Sequence, residues 1–121
     1  MARPVARDIV VVDWRGGRSG LEPGGVRPAI VVEAPGLLAD DYPQLLVVPL
    51  TRHSRFAQME ALVQRIEPSA ENAAPEVSWA VCHHVTSVVR ERARSTGSRV
   101  SAEEFHGVRM RLLRLLAAER A

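Results

Sequence analysis

The sequence reads IVVVDW at residues 9–14, RGGRSGLEPGGV at residues 15–26 and RPAIVVE at residues 27–33. The two outer stretches are rich in Val and Ile, which favour β-strands, and the middle stretch is polar and rich in glycine. A connection of this length between neighbouring strands is typically functional. Arg27 and Pro28 stand where the loop becomes a strand, so the pair holds one guanidinium in a fixed place.

Five apolar runs predict β-strands, and Pro or Gly residues separate the early ones. Their near-continuous apolarity indicates a closed or two-layered sheet rather than an open sheet with one face in water. The predicted strands are Ile9–Trp14, Pro28–Glu33, Leu45–Leu50, Ala61–Ile66 and Trp79–Val89.

The end of the chain changes to a helical period. Ser101, followed three residues later by Glu104, forms a capping box that begins a helix. Apolar residues then share one helical face over about twenty residues, and we expect this face to pack on the sheet, with a dimer seam as the alternative. The face comprises Phe105, Val108, Leu112, Leu115 and Leu116.

Five short strands followed by one helix predict a mainly β domain, a small SH3-like barrel with a C-terminal α-helix. The 121 residues suffice for one core, so a single domain over residues 1–121 is expected. No apolar run approaches the roughly 18 residues that span a bilayer, and no secretory leader pattern opens the chain. We therefore expect a cytoplasmic protein without membrane contact.

The charged residues favour a phosphate-bearing partner. The 16 cationic side chains are all arginine, whose planar fork matches phosphate oxygens, although a GC-rich genome also explains the bias. Arg90, Arg92, Arg94 and Arg99 crowd one short segment. A solvated loop is the alternative for that segment.

Four further stretches occur in an order and spacing that suggest a family. They are DIVVVDW (residues 8–14) with the glycine-rich loop behind it, GGVRPAIVV (24–32), VVPLT (47–51), and AVCHHVTSVVRERA (80–93) with RVSAEEF (99–105). Together they resemble the MazF/PemK/Kid toxins of bacterial toxin–antitoxin systems. The resemblance covers most of the chain.

The resemblance implies the MazF/CcdB-like plasmid-toxin fold and a metal-independent endoribonuclease without cofactor. Such toxins cut single-stranded RNA, often mRNA, at short motifs, and leave a 2′,3′-cyclic phosphate and a 5′-hydroxyl. They act as homodimers, and a cognate antitoxin protein silences them. The alternative is a non-catalytic toxin of the same fold that acts by protein binding, as the gyrase poisons do.

Metal-free RNA cleavage needs a base for the 2′-hydroxyl, charge for the phosphorane and an acid for the leaving oxygen. The resemblance assigns catalysis to Arg27 and Thr51, since both match the family's catalytic arginine and threonine. Arg27 can hold two phosphoryl oxygens, and Thr51 can donate its hydroxyl to the same phosphate. Glu22, in the glycine-rich loop, is the third predicted catalytic residue. The alternatives are a structural ion pair between Arg27 and Glu22 and a local turn bond at Thr51.

The chain departs from the family at His83 and His84, where many members carry an acidic residue followed by glutamine, and at Thr86, where some carry a cation. Histidine is a natural acid or base at neutral pH, so we expect His83 to take over proton transfer. Neighbouring residues of a strand point to opposite faces, so only one of the pair can face the pocket. The alternative is one buried and one surface histidine, and His53 is a third candidate.

The remaining predicted site residues bind RNA. Trp14 is expected in the core, and Phe56 is expected to stack on an unpaired base. Cys82, His83 and His84 are consecutive with no second ligand pair, so no metal site is predicted and Cys82 is expected to be a small core residue. The predicted RNA-binding set is Arg15, Arg18, Arg52, Arg55, Phe56, His84 and Arg90.

Overall fold

The computed structural model describes residues 2–15 and 25–117 of the chain. Within these residues an antiparallel β-sheet precedes one α-helix. The strands are β1 (Asp8–Asp13), β2 (Val26–Val31), β3 (Gln44–Thr51), β4 (Val63–Ile66), β5 (Ser78–Val81), β6 (Thr86–Val89) and β7 (Ala93–Arg99). The helix is α1 (Ala102–Leu115), and short 3-10 helices form at Ser54–Gln58, Cys82–His84 and Arg90–Arg92.

The strands run in the order β4-β5-β3-β2-β1-β7, and β6 pairs with β3 beside β5. The mainly β architecture with a C-terminal helix is as predicted. The described strands do not close into a continuous ring, because β4 and β7 lie at the two ends of this order. The sheet is therefore open at its two ends, and the barrel-like fold with two covered faces is approximately as predicted.

Alternating side chains of the central strands enter two different cores, because successive residues of a strand point to opposite faces. Ile30 and Val48 lie in one apolar cluster, which Phe105 and Val108 of α1 complete. Their neighbours in the two strands join the second cluster on the other face of the sheet, and Trp14 is part of it as predicted. The second cluster consists of Val10, Val12, Trp14, Ala29, Val31, Leu45, Val47 and Val88.

Strand β7 was absent from the sequence-based prediction. Its sequence, ARSTGSR, has no apolar alternation, and the strand lies at the sheet edge with most side chains exposed. Backbone pairing with β1 holds it, and the Thr96 hydroxyl adds a hydrogen bond of 2.7 Å to the carbonyl of Ile9. An edge strand can form on backbone bonds alone, which hydrophobic patterning does not detect.

The predicted strand over Trp79–Val89 is interrupted. Both β5 and β6 pair with the edge of β3 opposite β2: Leu50 faces Ala80, and Val47 faces Thr86. Between these two pairs β3 has two residues and the facing chain has five, so three residues are in excess. The 3-10 helix Cys82–His84 takes up the excess as a bulge in the strand.

Helix α1 begins as predicted and ends earlier. The side chain of Ser101 accepts a hydrogen bond from the backbone N–H of Glu104, and the Glu104 carboxylate accepts one from the backbone N–H of Ser101. Phe105 is buried, whereas Leu115 and Leu116 are exposed, so the predicted packing of the last turn is wrong. The helix packs on β4 and the Cys82–His84 helix. Among the described residues no helix combines the length and apolarity required to traverse a lipid bilayer.

Candidate active site

A cleft of about 1490 Å³ opens where β2 and β3 separate. The two strands pair from Val31 opposite Val47 to Ala29 opposite Pro49. Pro49 has no N–H to donate, and the next residues of β3, Leu50 and Thr51, pair with β5 on the other edge. Residues of both strands beyond this last pair, Arg27 and Pro28 of β2 and Leu50 and Thr51 of β3, line the cleft.

Arg27 and Thr51 are both part of this cleft. Each lies two residues beyond the last pair of β2 and β3, Ala29 with Pro49. Both residues line the cleft; Arg27 is exposed and Thr51 is half-buried. The Thr51 hydroxyl oxygen accepts a hydrogen bond of 3.2 Å from the backbone N–H of His53. Because the hydroxyl only accepts in this bond, its own hydrogen can still be donated to a ligand.

The 3-10 helix Ser54–Gln58 supplies a second wall. His53 caps it, with the ring Nδ1 accepting a hydrogen bond of 3.4 Å from the backbone N–H of Arg55. The Arg55 guanidinium lies over the Phe56 ring, 5.1 Å from its centroid. Arg52, Arg55 and Phe56 all line the cleft, so these three predicted RNA-binding residues are brought together with Arg27 and Thr51.

A third part of the cleft lining comes from the segment 72–78, which the sequence analysis did not single out. Asn72 is buried, and its side chain accepts hydrogen bonds from the backbone N–H groups of Ser69 (3.1 Å) and Ala74 (2.8 Å) and donates one to the carbonyl of Glu67 (2.7 Å). The sequence signal for this turn is Ser69 followed by Asn72, since such side chains bond to nearby backbone. Glu76, in the same segment, forms an exposed ion pair of 3.8 Å with Arg52.

His84 lines the cleft, and His83 is not among the lining residues. The two rings lie close together, with centroids 4.4 Å apart, and Phe56 meets the His84 ring edge-on at 6.2 Å. Burial, and secondly the charge of His83, hold the pKa of His84 below its usual value. The Nδ1 of His83 is buried and has no hydrogen-bond partner among the described residues.

Cys82, the first residue of the same short helix, is fully buried in the core as predicted. Burial raises the pKa of its thiol to about 11, so the sulfur is a protonated thiol at neutral pH. Across residues 2–15 and 25–117, no three His, Cys, Asp or Glu side chains are grouped closely enough to share a metal ion.

Two predicted RNA-binding arginines lie away from the cleft. The Arg15 guanidinium forms an ion pair of 2.8 Å with the Asp13 carboxylate. The hydrogen bond from Arg15 holds the pKa of that carboxylate well below its usual range. The guanidinium of Arg90 donates to the carbonyl of Asp40, and its backbone N–H donates to Pro43. Arg90 therefore lies beside the first residue of β3, about 20 Å from Thr51 at the strand rise of ~3.3 Å per residue. Arg18 and Glu22 lie outside the described residues.

One family model matches most of the chain. Residues 6–116 match the model of the PemK-like, MazF-like toxin of type II toxin–antitoxin systems. A comparison with curated protein sequences finds no match.

Solved structures share the fold. The crystal structure of MazF (Form-I) from Deinococcus radiodurans superimposes with a TM-score of 0.75 at 24% identity, covering 97% of this chain and 99% of that one. The MazE–MazF complex (Form-II) from the same organism gives 0.70 at 24% identity, with 96% and 97% covered. The MazE–MazF complex (Form-I) gives 0.69 at 21% identity, with 97% and 99% covered.

Proposed function

The chain belongs to the PemK-like, MazF-like toxins of type II toxin–antitoxin systems, and we propose that it is a metal-independent, sequence-specific endoribonuclease. Its substrate is single-stranded RNA, including mRNA, and the nucleophile is the ribose 2′-hydroxyl next to the scissile phosphate. The observation that carries this proposal is the position of Arg27 and Thr51, which line one cleft and each lie two residues beyond the last β2–β3 pair. A phosphodiester between them meets a guanidinium on one side and a hydroxyl on the other.

Arg27 stabilises the charge that develops on phosphorus. Its fork donates two N–H groups to two phosphoryl oxygens, and these bonds strengthen as the phosphorane gains negative charge. A guanidinium does not give up its proton in a protein, so Arg27 acts through its charge rather than as an acid. Attack by the 2′-oxygen and departure of the 5′-oxygen produce a 2′,3′-cyclic phosphate and a 5′-hydroxyl.

Thr51 supplies a directional donor to the same phosphate. Its oxygen is held by the backbone N–H of His53, which orients the free O–H. The proton transfers need further groups; the sequence analysis predicts His83 for proton transfer and Glu22 as a further catalytic residue, and both remain predictions. Two imidazoles that line the cleft itself, those of His53 and His84, are also candidates.

Single-stranded RNA suits the walls of the cleft. Arg52 and Arg55 are exposed cations beside Arg27, and the Phe56 ring offers a face on which an unpaired base can stack. A base inside a duplex cannot reach such a ring, because its faces are already stacked on neighbouring bases.

We also carry over three family properties to this chain. A cognate antitoxin protein binds it, in keeping with the MazE–MazF complexes among the similar structures. The toxin forms a homodimer, and it acts in the cytoplasm on cellular RNA.

The test uses purified protein, EDTA and a long single-stranded RNA. We expect discrete cuts by the wild type and none by Arg27→Ala. The matched control is Arg109→Ala, since Arg109 is an exposed arginine on α1 that does not line the cleft; it should cut as the wild type does. If the wild type leaves all RNA intact, the enzyme proposal fails and the protein-binding toxin becomes the better explanation.

The chemistry has a separate test. A substrate with one 2′-deoxyribose on the 5′ side of a mapped cut site lacks the proposed nucleophile. We expect cutting to stop at that site alone and to continue at others. Cutting at the substituted site would show that water, not the ribose hydroxyl, attacks phosphorus.

A further inference from the structure

We propose that His84, rather than His83, takes the proton from the attacking 2′-hydroxyl during RNA cleavage. The inference rests on the proposed ribonuclease function. It assigns the base of the reaction to a residue whose position depends on a three-residue bulge opposite β3.

The bulge sets the direction of the His84 side chain. In a regular strand opposite β3, the chain from Ala80 to Thr86 would alternate faces and continue the ladder. The three excess residues instead form the 3-10 helix Cys82–His84, and bulges of this kind re-aim side chains beside active sites. The result is that His84 lines the cleft that also holds Arg27 and Thr51.

The short helix that carries His84 is anchored at its base. Cys82 is fully buried, its backbone N–H bonds to the carbonyl of Leu62 at 3.0 Å, and its thiol donates to the carbonyl of Ala80 at 3.6 Å. The backbone N–H of Val85 closes the turn on the carbonyl of Cys82 at 3.1 Å. This anchoring restricts the backbone motion available to His84.

The His84 ring is itself confined on two sides. Phe56 presents its edge at a centroid distance of 6.2 Å and an angle of 85°, and His83 packs against the ring at 4.4 Å. Because His83 is the packing neighbour and its Nδ1 is buried, we assign His83 a positioning role. An imidazole held in this way can present a ring nitrogen to a ligand in the cleft.

Burial and the neighbouring His83 both favour the neutral form of His84, which is the form that accepts a proton. Burial contributes first and His83 second to a pKa below the usual value of about 6.5. The charged residues that line the cleft with His84 are three arginines and one carboxylate, which is paired with Arg52. The titratable and charged groups of this lining are Arg27, Arg52, His53, Arg55 and Glu76, and His83 packs on the ring itself.

The step balances in atoms and charge. The 2′-O–H bond breaks and its proton moves to the neutral imidazole of His84, while the 2′-oxygen forms a bond to phosphorus. The bond from phosphorus to the 5′-oxygen then breaks, and the leaving oxygen takes a proton from water in the open cleft. His84 returns its proton to solvent, which restores the neutral imidazole.

The experiment compares His84→Gln with the matched variant His83→Gln in single-turnover cleavage between pH 5 and pH 8. In the wild type the rate should fall as the pH drops through the pKa of His84, because the imidazolium cannot accept a proton. His84→Gln should lose about 10²- to 10⁴-fold in rate and the pH dependence with it. His83→Gln should keep most of the rate and move the midpoint to higher pH, since removing its charge relieves His84.

Two further measurements, RNA binding and rescue by added imidazole, distinguish a general base from a residue with a structural role. Both variants should bind a 2′-deoxy-substituted RNA as the wild type does, and added imidazole should restore part of the rate of His84→Gly. Two outcomes overturn this inference while the ribonuclease function stands, provided that the wild type cuts RNA. In the first, His84→Gln keeps the wild-type pH profile; in the second, His83→Gln is the variant that loses the pH dependence. A wild type that cuts no RNA overturns the function itself.

Discussion

Arg27 and Thr51 line the same cleft, and each lies two residues beyond the last paired residues of β2 and β3, Ala29 and Pro49. Beyond that pair, Thr51 pairs with Trp79 of β5 and Arg27 pairs with Val12 of β1. Each residue is therefore held by a paired strand, and both side chains line the cleft. The functional positions lie on rigid strand ends, where a phosphate can be held without reorganisation.

Replacing the Thr51 hydroxyl should weaken cleavage without unfolding the protein. Thr51→Val keeps the shape and removes the donor, and a hydrogen bond to a charged group contributes about 1.5–3 kcal/mol, so we expect a loss of about ten- to a hundred-fold in kcat/KM. Thr51→Ser should retain most activity. The control is Thr86→Val on β6, outside the cleft. Equal activity of Thr51→Val and the wild type would remove Thr51 from the mechanism.

Phe56 should contribute to RNA affinity through its ring face. Phe56→Leu keeps an apolar side chain but loses the stacking surface, and stacking contributes about 1–3 kcal/mol per base, so we expect roughly ten-fold weaker binding. Fluorescence anisotropy with a 2′-deoxy-substituted RNA measures this without cleavage. Tyr42→Leu, an exposed aromatic outside the cleft, should bind normally. Similar losses in both variants would argue against a stacking site.

Arg3 and Glu33 form a buried ion pair, and we expect a mutation that breaks this pair to lower the free energy of unfolding strongly. The guanidinium donates to both carboxylate oxygens, at 2.6 Å and 2.9 Å, and also to the carbonyls of Tyr42 and Gln44. Arg3→Met leaves the Glu33 carboxylate buried without its partner, so the free energy of unfolding should fall by about 3–5 kcal/mol. Urea unfolding measures the loss.

The double variant Arg3→Met/Glu33→Leu provides the control for that prediction. It removes both charges, so it should be clearly more stable than Arg3→Met alone, even though the N–H of Leu46 loses its acceptor, Glu33. A double variant as unstable as the single one would mean that packing, rather than an unpaired charge, determines the loss.

Cys82 should be almost unreactive in the folded protein. With a pKa of about 11 and full burial, only about one thiol in a thousand is ionised at pH 8, and that fraction is shielded from solvent. We therefore expect a coloured disulfide reagent to react with the Cys82 thiol over roughly hours in native buffer. In about 6 M guanidinium chloride, where the protein is unfolded, the same reaction should take roughly seconds. Fast native-state reaction would contradict the buried position of the thiol.

Local sequence patterns predicted those strands and that helix start which depend on interactions between residues close together in the chain. The apolar runs marked five strand regions, and the Ser101 and Glu104 pair marked the start of α1, because propensity and capping act within a few residues. The order of motifs further indicated the family and singled out Arg27 and Thr51. The single-domain organisation and the set of catalytic residues remain predictions.

Only the tertiary structure decided which side chains share the cleft. Strand β7 forms through pairing with β1, the bulge at Cys82–His84 arises from unequal residue numbers on two facing strands, and His84 rather than His83 lines the cleft as a result. Each of these depends on register between segments that are distant in the chain. Because side chains alternate with a period of two, a shift in register changes which residues face a site, and no local pattern records that shift.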